Sequence, residues 1–448
     1  MNKLYKSLIL TIAILSLHSC GLYKKYEREQ MWFVDSLYRR MEITGDTLST
    51  ASVSWNDMFT DPILQEWIQL GLEYNTDLNV ARHRVQEAEA ALLSARWALL
   101  PGATFTVQGG APGNFSARAD ASWQADIFGS LRNSKRKAQA AVEQSKAFEQ
   151  AVQTQLIATI AGSYYSLLML DEQLTVSIRT LDNWDENIRS MEALKRAGKT
   201  NEAAVLQAKS NRLTVEGSVL NLRKQIMERE NAFAVLLGIV PMHIMRGRME
   251  DQVFPTELSE GVPVQLLSQR PDVRQAEQAL IEKFHMTNSA RAAFYPNLSL
   301  SGSLGWTNGN GSMVINPAGV IAGVIGSLVQ PVFAKGANKA RLEAAKAQQE
   351  AAEYKFRQTI LNAGVEVNNA LMSWQTARQR LEIDRKQVVT LQAAVWNTKL
   401  LMKHGLRNYL EVLTAQQNLL QAELTEVSDR YEEIQGVISL YHALGGGY

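Results

Sequence analysis

The side chains best equipped for bond chemistry are few in this chain and badly placed for it. Its six histidines stand at positions 18, 83, 243, 285, 404 and 442, and none forms a metal-ligand spacing such as His-Glu-x-x-His. No Gly-x-Ser-x-Gly elbow sits between a strand and a helix, and no glycine-rich phosphate loop is present. His404, beside Gly405, reads as a helix C-terminal residue rather than a ligand. The single cysteine, Cys20, excludes an intramolecular disulfide, a thiolate metal site and a Cys-x-x-Cys redox pair. With a net charge of +1, no bulk imbalance points to nucleic acid. An enzyme is therefore not expected, and neither is a metal or a dissociable cofactor.

Cys20 has a different chemistry in prospect. Lys3 and Lys6 precede a short apolar run from Leu8 to Leu17, closed by Leu17-His-Ser-Cys20 and followed by Gly21. A short apolar run that ends in small residues is an export signal and not a membrane anchor. The pattern resembles the bacterial lipoprotein signal, which implies cleavage before Cys20 and acylation of its thiol and new amino group. Gly21, in place of Asp, resembles lipoproteins that are sent on to the outer membrane. Beyond residue 20 no stretch is long and apolar enough for a spanning helix. A membrane location would have to rest on strands or on this lipid.

The chain also repeats itself. Lys195-Arg-Ala-Gly-Lys-Thr-Asn-Glu-Ala-Ala-Val-Leu-Gln-Ala-Lys-Ser-Asn-Arg-Leu213 returns as Met402-Lys-His-Gly-Leu-Arg-Asn-Tyr-Leu-Glu-Val-Leu-Thr-Ala-Gln-Gln-Asn-Leu-Leu420. Val205, Leu206, Ala208, Asn211 and Leu213 thus recur as Val412, Leu413, Ala415, Asn418 and Leu420. Ser94-Ala-Arg96 before Pro101 returns as Ser289-Ala-Arg291 before Pro296. A duplication of this size predicts two similar half-structures.

All ten prolines lie at or before Pro331, and residues 113–240 and 332–448 contain none. Proline is excluded from helix interiors, so long helices belong in those runs. Ala138, Ala141, Ser145, Phe148, Val152, Leu156, Ile160, Ser163, Leu167, Leu170 and Leu174 follow steps of three and four, the signature of one helix face. A helix over about 133–196 would be roughly 95 Å long, and one over about 337–403 is similar. Helices of that length project beyond any single core and are coiled-coil-like. Gly198 and Gly405 can take the left-handed conformation that ends them, and Asn201 or Asn408 can cap a return helix. Each half therefore reads as a helical hairpin. The repeated Val-Leu-x-Ala-x-x-Asn-x-Leu reads mainly as packing near the turn.

Between the helices polarity alternates. Phe115, Ala117, Ala119, Ala121 and Trp123 interleave with Ser116, Arg118, Asp120, Ser122 and Gln124. Leu298, Leu300, Leu304 and Trp306 interleave with serines and glycine, and Phe105 and Val107 with Thr104, Thr106 and Gln108. Residues 318–330 are apolar and glycine-rich but alternate poorly. One oily face and one wet face fit a membrane barrel, although a soluble sandwich sheet shows the same alternation. The export signal favours the barrel. Four strands cannot close one, and an open sheet edge is not tolerated in lipid, so the chain is expected to oligomerise.

Four stretches carry a family resemblance: Gly261-Val-Pro-Val-Gln-Leu-Leu-Ser-Gln-Arg-Pro-Asp-Val-Arg-Gln-Ala-Glu277, Ala290-Arg-Ala-Ala-Phe-Tyr-Pro-Asn-Leu298, Ala121-Ser-Trp-Gln-Ala-Asp-Ile-Phe-Gly129 and Tyr441-His-Ala-Leu-Gly-Gly-Gly-Tyr448. They resemble the outer membrane factor family, the TolC-like exit ducts of tripartite efflux pumps, and within it the lipoprotein branch that serves resistance-nodulation-division transporters. The resemblance runs from about residue 50 to the end. It implies a mainly α protein with a small β part: two tandem repeats, each a pair of transmembrane strands plus a long coiled-coil hairpin. Three copies would form a 12-stranded β-barrel on a periplasmic α-helical barrel. It further implies an intermediate region built partly from residues near 50–75, 241–262 and the C-terminus. The implied partners are a homotrimer, a periplasmic adaptor, an inner-membrane resistance-nodulation-division transporter and outer membrane lipid, without nucleic acid. The hairpin tips Gly198-Lys199-Thr200 and Gly405-Leu406-Arg407 would dock the adaptor.

The expected division is a signal peptide at 1–19, a lipidated extended segment at 20–60 and a first repeat at 61–240, with strands at about 103–125 and a hairpin at about 130–238. A linker at 241–262 and a second repeat at 263–448 follow, with strands at about 297–330 and a hairpin at about 336–440. Two departures from the family stand out. Where relatives often carry an acid that helps form a constricting, cation-attracting ring, this chain has Thr414, and Glu411 lies one turn earlier on the same helix face. Three converging copies of Glu411 would repel one another and favour cations or protonation, whereas the plain alternative is a solvated surface residue. Ala334-Lys-Gly336 replaces the family's aspartate and glycine at the last strand–helix junction. The rival reading of the whole chain is a lipid-anchored periplasmic coiled-coil adaptor or scaffold without a pore. Two hairpins and four short strands, in place of one hairpin flanked by β-rich domains, favour passive conduction.

Overall fold

The computed structural model describes residues 25–28, 54–110, 114–253, 270–307, 320–330, 334–404 and 409–446. Eight α-helices and four strands fill these residues: α1 (Trp55–Met58), α2 (Pro62–Tyr74), α3 (Thr76–Trp97), β1 (Gly102–Gly110), β2 (Asn114–Ala125), α4 (Ser130–Arg196), α5 (Glu202–Leu237), α6 (Pro271–Ala292), β3 (Asn297–Thr307), β4 (Val320–Val329), α7 (Ala337–Lys403) and α8 (Tyr409–Ala443). The architecture is mainly helical with one four-stranded antiparallel sheet. Among the described residues no helix is long and apolar enough to cross a membrane.

Two compact units emerge, and neither follows the order of the chain. One comprises residues 25–28, 81–110, 114–149, 271–307, 320–330 and 334–360; the other comprises 54–80, 150–253, 270, 361–404 and 409–446. Each draws on both repeats.

The first unit holds the sheet. Its strands form a meander in the order β1-β2-β3-β4, all antiparallel. The poorly alternating segment near 318–330 is a strand all the same, because β3 supplies its ladder from Asn297↔Val329 to Trp306↔Val320. Helices α3 and α6 precede the two strand pairs at equivalent places and carry Arg96 and Arg291 in their last turns, where a cation suits the negative end of each helix dipole.

The second unit is built around the middle of α4. The expected face does bury Leu156, Ile160, Leu167 and Leu170, but Ile157, Ala161, Tyr164, Tyr165 and Leu168 are buried as well. One helix face could not bury all of these, so α4 is packed on several sides here. Asp61 shows how. Its Oδ1 accepts from the Ile63 N–H and caps α2 at 2.9 Å. Its Oδ2 accepts from the Tyr164 hydroxyl at 2.7 Å and from Gln252 Nε2 at 2.9 Å. The Tyr164 hydroxyl in turn accepts from the Gly247 N–H at 3.0 Å. Trp67 donates its indole N–H to Met245 O at 2.9 Å, and Phe59 meets Tyr441 edge-on at 5.9 Å. Residues 54–74 and 241–253 thus meet around Tyr164, and the C-terminal end of α8 joins residues 54–74 through Phe59 and Tyr441.

Candidate conduction surface and hairpin tips

In the sheet, directly opposed residues share a face. The register aligns Phe105↔Ala119↔Leu304↔Ala322 and Trp123↔Leu300↔Gly326 on one side. On the other it aligns Thr104↔Asp120↔Ser303↔Gly323, Gln124↔Ser299↔Ser327 and Ser122↔Ser301↔Ile325. The apolar face is bare: Phe105 is 68% exposed and Leu304 59%. The polar face carries hydroxyls and amides, with Arg118 and Asp120 paired at 2.8 Å. Ile321, Ile325 and Val329 of β4 are apolar exceptions on it. A sheet of this kind separates an oily medium from a wet one.

At the first hairpin tip, in the second unit, Gly198 adopts φ +71°. Its N–H donates to Lys195 O at 3.0 Å, and the Lys199 N–H reaches back to Leu194 O at 2.9 Å, which satisfies the last carbonyls of α4. Asn201 then starts α5, its side chain accepting from the Ala204 N–H at 3.0 Å. Lys195 and Glu202 pair across the turn. Gly198 and Lys199 are exposed and Thr200 is half-buried. At the second tip α7 ends at Lys403, with the His404 N–H bonded to Leu400 O. Gly405, Leu406 and Arg407 lie outside the described residues, as does Cys20.

Below the turns the two hairpins share one core. Trp184, Ile188 and Met191 of α4, Val205, Ala208 and Val215 of α5, and Tyr409, Val412 and Leu413 of α8 form a single buried cluster. The duplicated valines Val205 and Val412 are therefore packing residues. Burial drives the Tyr409 phenol up to about 12. Glu411 and Thr414 lie on the opposite, exposed face of α8, and the Thr414 hydroxyl donates to Leu410 O at 3.0 Å. Among the described residues no three of His, Cys, Asp and Glu group to hold a metal ion.

Farther up the same unit, α4, α7 and α8 bound an open groove of about 1000 Å³. Its rim includes an ionic clamp that the sequence reading missed. Arg270, with a side chain only 5% exposed, reaches Glu366 at 2.5 Å and donates to Ala443 O. His442 stands 3.5 Å from the same Glu366 carboxylate. The His442 and Arg270 hydrogen bonds hold Glu366 down to about 2 against the opposing effect of burial. Arg270 sits in the Gln-Arg-Pro-Asp motif and His442 in the terminal Tyr-His-Ala-Leu motif, but no spacing rule could join residues so far apart.

The outer membrane efflux protein model matches residues 67–239 and 262–446, one segment for each repeat and most of the chain. The chain belongs to the outer membrane efflux protein family. Among curated relatives, the cation efflux system protein CusC of Escherichia coli is 28% identical, covering 97% of both chains. The probable outer membrane lipoprotein SilC of Salmonella typhimurium is 27% identical over 91% of this chain and 90% of its own. A solved structure of CusC superposes with a TM-score of 0.85 at 26% identity, covering 96% of this chain and all of that one. The open-state MtrE outer membrane channel of Neisseria gonorrhoeae gives 0.86 at 25% identity, covering 96% and 98%. This outer membrane efflux protein is thus a channel of the outer membrane and a transport component of an efflux pump, not an enzyme. The bare apolar sheet face and the polar face opposite it acquire their meaning from that placement.

Proposed function

We propose that three copies of this chain close a 12-stranded barrel in the outer membrane and continue it as a periplasmic helical duct. That duct passively conducts solutes handed over by a periplasmic adaptor and an inner-membrane resistance-nodulation-division transporter. The observation that carries the reading is the sheet itself. β1 and β4 each present an outer edge that no described strand pairs, beneath a face of exposed Phe105, Leu304 and Leu328. Unsatisfied strand edges are not tolerated in hydrocarbon, so β1 of one copy pairs with β4 of the next until the ring closes. On α5, Leu206, Leu213, Leu220 and Met227 recur every seven residues and are all 56–62% exposed, the seam of a coiled coil whose partner is another copy.

Acylation of Cys20 tethers each copy to the outer membrane. The tips Gly198-Lys199-Thr200 and Gly405-Leu406-Arg407 receive the adaptor, whose binding biases the hairpins toward an open packing. Glu411, with Thr414 one turn away, supplies the constricting ring. The names of the relatives span cations in CusC and toluene in the TtgC pump protein of Pseudomonas putida, so the duct is read as tolerant of its cargo. Native mass measurement of the detergent-extracted protein tests the assembly. Three chains, each with a lipid-modified N-terminal peptide that is lost in Cys20→Ala, support it; a monomer with an unmodified Cys20 refutes it.

A further inference from the structure

In the second unit α7 and α8 approach closely, since a Cβ on Gly436 would stand 2.8 Å from Trp374 Cα. Two acids lie in that seam. Asp429 of α8 is 1% exposed and Asp384 of α7 is 8% exposed. The Oδ2 atom of each is buried and meets no hydrogen-bond partner, while the two carboxyl groups face each other within hydrogen-bond reach. Two carboxylates are acceptors only, so the contact is unmade unless a proton lies between them.

The surroundings do not neutralise both acids. Arg380, one turn before Asp384, bonds Asp429 Oδ1 at 2.7 Å but shares its charge with Glu432 at 3.1 Å. Arg385 is 3.9 Å from Glu426, and Arg179 of α4 is engaged by Glu423. The remaining groups from α4 and α5 are neutral: Gln173, Ser177, Ser218 and Asn221 line a pocket of about 410 Å³ that Asp429 also borders. That polar pocket is a route by which water can deliver or remove the proton.

We propose that Asp384 and Asp429 share one proton, that this proton fastens α7 to α8, and that its loss loosens the second hairpin. The acidity of Asp429 agrees. Burial first, then the hydrogen bond with Asp384, raise it from 3.8 to about 6 despite Arg380. The fastened packing holds its proton more tightly than a parted one. Its advantage is complete below the ordinary carboxylate range and is lost as pH rises through about 6. Periplasmic pH would then set how readily the hairpin moves, acid favouring the closed packing. This consequence, though not the proton itself, rests on the channel reading.

Infrared titration of the full-length protein in detergent reads the shared proton directly. A protonated-carboxyl band should titrate near pH 6 in the wild type and be absent in Asp384→Asn, whose amide supplies the missing donor at every pH. In planar bilayers the wild-type open-to-closed ratio should rise on the order of tenfold between about pH 5 and pH 7.5 and stay flat in Asp384→Asn. A band or an opening midpoint that is identical in the two proteins would overturn the proposal. A titrating band without conductance at any pH would uphold the proton and discard the channel.

Discussion

Leu206 and Leu413 occupy the same place in the duplicated motif, yet Leu206 is 56% exposed and Leu413 only 3%. The pair Leu213 and Leu420 behaves alike: Leu213 is 62% exposed, whereas Leu420 packs against the shared core. The second hairpin buries these leucines within the chain, while the first leaves them exposed. Leu413→Ala should therefore cost about 2–5 kcal/mol and lower the melting temperature of the protein. Leu206→Asp combined with Leu213→Asp should leave helicity intact and reduce the assembled fraction. Circular dichroism and native mass, read together, separate the two effects.

Gly436 and Gly217 give opposite outcomes. A side chain at Gly436 would run into the Trp374 backbone, so Gly436→Val should destabilise by about 1–3 kcal/mol. Gly217, in the middle of α5, faces open space, and Gly217→Ala should stabilise by about 0.5–1 kcal/mol. Melting temperatures moving in opposite directions would bear this out.

Gly198 has φ +71°, and a Cβ added there would meet nothing within 4 Å, so only backbone strain opposes a side chain. Gly198→Ala should cost about 1–2 kcal/mol, confined to the tip. Hydrogen exchange should quicken over residues 194–204 and stay unchanged around Tyr164.

The Arg270–Glu366–His442 clamp has an acid limit. Because its hydrogen bonds depress Glu366 to about 2, its contribution is present above the ordinary value of 4.5 and is lost as pH falls from there toward about 2. Arg270→Ala removes one of those bonds and frees Ala443 O. Protection of the C-terminal turn of α8 should then fail at a higher pH than in the wild type, measured by hydrogen exchange along an acid titration.

Much of this fold can be read in the sequence because its signals are local. The proline-free runs and turn glycines located α4 and α7 to within a few residues, and the alternation at 115–124 located β2. What escaped depends on distance. Helices α3 and α6 went unread although Leu78, Ala81, Val85 and Leu92 of α3 are buried at near-helical spacing; that signal was there to use. Asp61, Tyr164 and Gln252, or Arg270, Glu366 and His442, meet only because the chain folds back. Periodicity has no information about such meetings. The duplication likewise promised symmetry, and Leu206 and Leu413 show where the fold departs from it.

Single-channel conductance of the purified full-length protein in planar bilayers, with the oligomer mass taken from the same preparation, tests the central claim most directly. Three chains giving a small, gated conductance are the predicted result. A monomer that stays silent at every voltage would contradict it.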